Sequence, residues 1–298
     1  MTNSGPYEFP RFKRITVNDK DLIEKVTVSY PPYSDFNVLS LLCWNPNDDN
    51  SFSVLDGNLI IRLKDYIQDD YVYSVFGVNR LNGTFKRLFE MKVRIKLVPE
   101  FVAEKLDSSK YLIEEDRDGF DYVIGTKDLS VMEGTGYKTL RRYIKTFKDE
   151  YKNNDVDELD LSDVSVRGQV IQLVEEWSEL KGMSVKEKEE DIKAIRTLVD
   201  NYSNFNILAL GLFVNKKLIA FTLNEMLNKS WVIGHFGKAL NSYRKCSFYL
   251  EVAGADWFNK RGYRFLNLQQ DTGILGLREA KMVFKPAYFL RKYTVKPA

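Results

Sequence analysis

The stretch WVIGHFG (231–237) decides the fold, because its pattern occurs twice. YVYSVFG (71–77) carries the same aromatic-Val-x-x-x-Phe-Gly spacing 160 residues earlier. At that same offset VLDGNLII (54–61) matches VNKKLIAF (214–221), and each reads as a strand, a polar two-residue turn and a second strand. An apolar, helix-like segment precedes each hairpin: FNVLSLLCW at 36–44 and VIQLVEEWSELKG at 170–182. A repeat of this length points to two copies of one domain along the chain.

The second copy continues legibly. NNDVDELDLSD (153–163) reads as an acidic link with a short strand, and SVKEKEEDIK (184–193) as an exposed, charged loop-helix. SFYLEVAGADWFNKRGY (247–263) has helical apolar spacing, a Lys-Arg pair near its end and a stop at Gly262. RFLNLQ (264–269) alternates as a strand, GILGLREAKMVF (273–284) is a short helix, and AYFLRKYTV (287–295) reads as one closing strand. The expected fold class is α/β, a mixed sheet with parallel strands flanking the long helix.

The chain has 298 residues, 44% hydrophobic and 29% charged, the balance of a soluble globular protein with room for two domains. No window approaches the ~18–20 apolar residues of a membrane span. The start, MTNSGPYEFPRFKR, shows no apolar signal-peptide core. Cys43, Cys246 and the single His235 form no metal-ligand spacing, so two reduced thiols in a cytoplasmic protein are expected, with no structural zinc. Charge is unevenly placed. Residues 1–150 carry 22 basic and 24 acidic side chains, whereas 229–298 carry 13 basic and 4 acidic, a net of +9. That field suits an anionic partner such as phosphate, nucleic acid or an anionic lipid surface; a solubilising surface is the plainer reading.

Between the copies lies LSVMEGTGYKTLRRYIKTFKDEY (129–151). On a helical wheel Lys138, Arg141, Arg142, Lys145 and Lys148 share one face, and Leu140, Tyr143, Ile144 and Phe147 lie opposite. Five cations without an interleaved acid read either as a phosphate-binding face or as the solvated side of a docked helix.

The residues HFGKAL (235–240), NLQQDTGILGLREAKMVFKP (267–286) and FLRKYTV (289–295) resemble the C-terminal domain of phosphatidylglycerol lysyltransferases, the DUF2156 group. GYKTLRRYIKTF (136–147) and SDFNVLSLLCW (34–44) resemble two further segments of that family. The resemblance implies two tandem acetyltransferase-like (GNAT) domains, expected at 1–128 and 129–298, with the family motifs in the second. It also implies an aminoacyl or acyl transferase, with aminoacyl-tRNA or another phosphate-bearing donor and an anionic lipid headgroup or other amine or hydroxyl acceptor. A non-catalytic protein binding RNA or a phospholigand is the alternative, and CoA-dependent N-acetylation a second one. The glycine-rich loop that grips coenzyme A in ordinary GNAT enzymes is replaced by GKALNSYRKCSF (237–248), so no cofactor is expected.

Aminoacyl esters are already activated, so positioning and oxyanion stabilisation can suffice. Lys238, at the end of a central strand, could stabilise an oxyanion or neutralise a phosphate, or be an exposed lysine. His235 shares a strand face with Trp231 and Ile233 and could be a general base or a packed core residue. Asp271 could cap the following helix or act on the acceptor. Gly273 and Gly276 disfavour a helix, which points to close approach by another chain or ligand. Arg278 and Lys281 share a face and read as an anion site; Arg244 and Lys245 could bind a phosphate by charge.

Overall fold

The computed structural model describes residues 7–65, 70–228 and 230–298. Residues 1–6, part of the start read above for a signal peptide, lie outside these, as do 66–69 and Lys229. The chain divides into two compact units. The first holds the residues up to Asp121 together with Gln270–Ile274 and Phe289–Ala298; the second holds Tyr122–Gln269 and Leu275–Tyr288.

The strands in chain order are β1 (Lys13–Arg14), β2 (Ser51–Leu55), β3 (Asn58–Lys64), β4 (Tyr71–Phe76), β5 (Ile95–Pro99), β6 (Tyr111–Glu115), β7 (Asp121–Gly125) and β8 (Asn154–Glu158). They continue as β9 (Ile207–Val214), β10 (Lys217–Asn228), β11 (Trp231–Ala239), β12 (Phe265–Asn267), β13 (Tyr288–Leu290) and β14 (Lys292–Pro297). One sheet has the order β1-β2-β3-β4-β5-β14-β6, the other β13-β7-β12-β11-β10-β9-β8. The repeat is visible in both. The turns Asp56-Gly57 and Asn215-Lys216 have positive φ at both positions, the geometry that joins antiparallel strands in two residues. Each hairpin leads to a strand–helix–strand unit with parallel strands: β4, α3 (Leu81–Glu90) and β5, then β11, α9 (Cys246–Lys260) and β12.

Helix registers follow the apolar spacing. In α3, Leu81, Phe85 and Leu88 recur at i, i+4 and i+7 and are buried. α9 buries Leu250, Gly254, Ala255 and Phe258. The basic segment is broken at Gly134 (φ 78) into α5 (Thr126–Val131) and α6 (Lys138–Glu150). In α6, Leu140, Ile144 and Phe147 are buried, while Lys138, Arg141, Arg142, Lys145 and Lys148 are exposed.

Two expectations change. SVKEKEEDIK is not a loop-helix but the start of a full helix, α8 (Val185–Asp200), which follows α7 (Val164–Lys181). A reciprocal Ser184–Glu187 capping box starts α8 firmly. AYFLRKYTV is not one strand but two, in different sheets. The cause is Lys292: its buried ammonium needs counter-charges, and Asp35 and Asp121 of the first unit supply them.

Candidate functional site in the second sheet

The parallel pairing of β11 with β12 spans only Trp231↔Phe265, Val232↔Leu266 and Ile233↔Asn267. β11 runs on to Ala239, so among the described residues its second half has no strand along that edge. Two local features open the split. Leu223 pairs with Phe236 and Asn224 with Gly234, which leaves His235 as the extra residue of a β-bulge. Beyond β12, Gln269 adopts a left-handed backbone (φ 57) and turns the chain away.

Polar side chains hold the split apart. Gln269 Nε2 donates to the Gly234 carbonyl at 3.1 Å and lies 3.4 Å from His235 Nδ1. His235 Nε2 lies 3.1 Å from Glu225 Oε2. This network assigns the ring proton to Nε2, donated to Glu225, while Nδ1 accepts from Gln269. Both ring nitrogens are therefore engaged in a buried chain. Lys281, from α10 (Leu275–Val283), turns inward and donates to the carbonyls of Leu268 (2.7 Å) and Gln269 (3.3 Å).

Glu251 is the residue that the sequence reading passed over. It projects from α9 toward the open half of β11, its Oε1 3.5 Å from where a Cβ on Gly237 would lie. It is half-buried, and among the described residues no hydrogen bond or salt bridge reaches its carboxyl group. Burial pushes its pKa from 4.5 up to about 7, with the Lys281 charge acting in the opposite direction. A signal was present: Glu251 occupies the same helical stripe as Gly254, Ala255 and Phe258, where an apolar residue is the rule.

The other candidates fall into separate places. Lys238 forms an ion pair with Asp191 of α8, 3.8 Å from the Trp177 ring centroid. Burial lowers its pKa, and Asp191 partly offsets this. Asp271, fully buried in the first unit, accepts from the Gly273 N–H (2.9 Å) and from Arg117 (3.3 Å). It closes a turn ahead of α10, so its carboxylate is not on the helix tip itself. Gly273 (φ 80) fits against Asp118, which a Cβ would meet at 3.0 Å, whereas Gly276 faces open space. Arg278 is half-buried on α10.

The remaining cations are gathered on α6 and the start of α9. Arg142 and Lys245 both approach the Tyr143 ring, at 5.8 and 3.8 Å. Arg244 lies 3.7 Å from Glu150 and Lys145 3.5 Å from Asp149. Arg141 folds back onto the carbonyls of Met132 and Gly134. Cys246 is buried, and its thiol is pushed up to about 11, which makes it a poor nucleophile at neutral pH. Among the described residues no group of three or more His, Cys, Asp or Glu side chains could hold a metal ion.

The first unit has a polar core of the opposite kind. Lys292 Nζ reaches Asp121 (2.7 Å), Gln270 (3.0 Å), Ser34 (3.3 Å) and Asp35, with no exposure of either the lysine or the two carboxylates. Asp121 also accepts from the Ser34 N–H and Oγ, both at 2.7 Å. Burial works against the Lys292 charge, but the two carboxylates outweigh it and raise its pKa; Asp35 is raised by burial despite Lys292.

The family model for the C-terminal region of phosphatidylglycerol lysyltransferase matches residues 33–296. The chain belongs to that family. No curated protein matches. Three solved structures share the fold of this lysyltransferase-family chain. A conserved protein of unknown function from Bacteroides thetaiotaomicron is 23% identical, with a TM-score of 0.82 over 96% of this chain and 99% of the other. L-PGS from Bacillus licheniformis is 14% identical, with a TM-score of 0.62 over 95% and 92%. A tandem GNAT protein of the clavulanic acid biosynthesis pathway is 10% identical, with a TM-score of 0.51 over 96% and 98%. The tandem GNAT-like fold of this family member is thereby shown. No helix among the described residues is long and apolar enough to cross a membrane.

Proposed function

We propose that this lysyltransferase-family chain is an aminoacyl or acyl transferase whose acyl group lies along the open edge of β11. The observation that carries this reading is the split itself. Beyond Ile233 the strand is no longer paired with β12, and with the Gly234 carbonyl taken by Gln269 a ligand would meet the strand from Gly237 onward. The donor is an aminoacyl-tRNA and the acceptor a lipid headgroup hydroxyl, the partners that family membership implies. A charged tRNA donor would place the protein in the cytoplasm.

In this reading Arg142, Lys145, Arg244 and Lys245 take donor phosphates, with Tyr143 as a stacking surface. Arg141 fixes the turn before that helix, and Arg278 lies beside the acceptor. Lys238 and His235 act by holding β11: one is clamped by Asp191, the other by Glu225 and Gln269. Asp271 sets the turn that leads into α10.

The test is direct. The protein is incubated with a mixed pool of charged, labelled tRNAs and phosphatidylglycerol vesicles, and label in extracted lipid is measured. Protein-dependent label in the lipid is the expected result. No transfer to any lipid or amine acceptor, together with salt-sensitive RNA binding, would overturn the enzyme reading in favour of a binding protein. Acetyl-CoA binding by calorimetry would instead support N-acetylation.

A further inference from the structure

We infer that Glu251 is the proton acceptor of the transfer step, taking the proton of the attacking hydroxyl or amine at the open edge of β11. The inference rests on the transferase reading above. Its ground is position and lack of partners. Glu251 reaches the open half of β11 at Gly237, a residue with no side chain of its own to block it. The other titratable groups near β11 are engaged: His235 with Glu225, Lys238 with Asp191, and Lys281 with two carbonyls. Glu251 alone among these four holds a carboxyl group that no hydrogen bond or salt bridge engages. A half-buried carboxyl pushed up to about 7 is also poised to exchange a proton near neutrality. Among the groups packed around it, Lys281 of α10 supplies the charge, and β10 and β11 present Thr222 and Gly237.

The step balances without a further reagent. The acceptor oxygen or nitrogen forms a bond to the ester carbonyl carbon while its proton passes to the Glu251 carboxylate. Collapse of the tetrahedral intermediate breaks the bond between that carbon and the donor's ribose oxygen. Glu251 then returns the proton to the leaving oxygen, and the carboxylate is regenerated. Lys281 stands near enough to favour the ionised form without pairing to it.

The experiment compares the unaltered full chain with Glu251→Gln and Glu251→Asp, using charged tRNA and phosphatidylglycerol vesicles between pH 5.5 and 8. The unaltered protein is expected to gain kcat/KM tenfold per pH unit below a midpoint near 7 and then level off. Glu251→Gln is expected to lose about 10²–10³-fold in kcat with little change in donor KM, and to lose the pH limb. Glu251→Asp is expected to recover part of the rate and keep the limb. Transfer by Glu251→Gln within threefold of the unaltered protein, on the same pH profile, would overturn this role and leave the transferase reading standing. A limb missing from the unaltered protein would do the same. If the unaltered protein transfers nothing to any acceptor, the reading itself falls and takes this role with it.

Discussion

The two copies use one backbone device to opposite ends. In the first, β4 pairs with β5 at Tyr73↔Ile95, and Leu97 two residues later is left-handed with φ 57. In the second, the last parallel pair is Ile233↔Asn267, and Gln269 two residues later has the same φ of 57. A polar bond crosses each opening: Ser74 Oγ donates to the Leu97 carbonyl, and Gln269 Nε2 to the Gly234 carbonyl. The copies then diverge. After β4 only residues 77–80 precede α3, and Asn58 locks them. Its Nδ2 donates to the Asn79 carbonyl (2.6 Å) and Thr84 Oγ1 (3.0 Å), and its Oδ1 accepts from the Asn79 N–H (2.9 Å). In the second copy the residue facing the glycine is Thr222, the loop is longer (240–245), and Glu251 lies beside Gly237. At this opening the first copy places an Asn58 side chain held by three hydrogen bonds, and the second a Glu251 carboxyl group that none engages among the described residues.

That contrast can be broken in several places. The largest effect is expected for Lys292→Met, which leaves Asp35 and Asp121 buried without their cation and should cost about 3–5 kcal/mol in chemical denaturation. A cost under 1 kcal/mol would mean that the first unit's polar core is not a closed ionic system. Gly77→Ala comes next. Its φ of 126 and the 2.5 Å approach of a Cβ to Asn58 Oδ1 should destabilise by about 1–3 kcal/mol. The matching change Gly237→Ala meets only ordinary contacts at 3.5 Å, so its stability cost should stay below about 1 kcal/mol. It should nonetheless slow transfer, because the new methyl group faces Glu251. Equal stability costs for the two alanines would erase the distinction between locked and open copies.

A pH comparison sharpens the point. The raised Glu251 pKa means that the folded state holds its proton more tightly than the unfolded chain does. Stability from this group is therefore full below about pH 4.5 and is lost as pH rises through about 7. Glu251→Gln should be more stable than the unaltered protein by about 1–3 kcal/mol at pH 8, with the difference shrinking toward pH 4.5. Thermal melts across that range measure it. The smallest effect is expected on the surface: Arg142→Gln with Lys245→Gln should leave stability within about 0.5 kcal/mol and lower the salt slope of RNA binding by roughly 2.

The hairpins, helix α9 and the parallel pair flanking it were legible because period, turn chemistry and caps all agree locally. VLDGNLII and VNKKLIAF each contain their own turn, and SFYLEVAGADWFNKRGY its own stop. The division of AYFLRKYTV between two sheets was not legible, since it depends on where Asp35 and Asp121 lie in space. The site was legible only in outline. Residue types near WVIGHFG marked the region, but not which charges were already committed. His235 and Lys238 look reactive in a string and are paired in the fold, whereas Glu251 looks like one more helical glutamate until its surroundings are known.

The placement of β14 between β5 and β6 has a consequence for synthesis on the ribosome. Strands β5 and β6 are made well before the strand that joins them, which begins only at Lys292. At 5–20 residues per second, the intervening chain takes on the order of 10–30 s to appear. Throughout that interval the nascent first sheet has two uncovered edges, and Asp35 and Asp121 await their lysine. Chain order thus keeps the first unit unfinished until its closing strand, far along the chain, has been made.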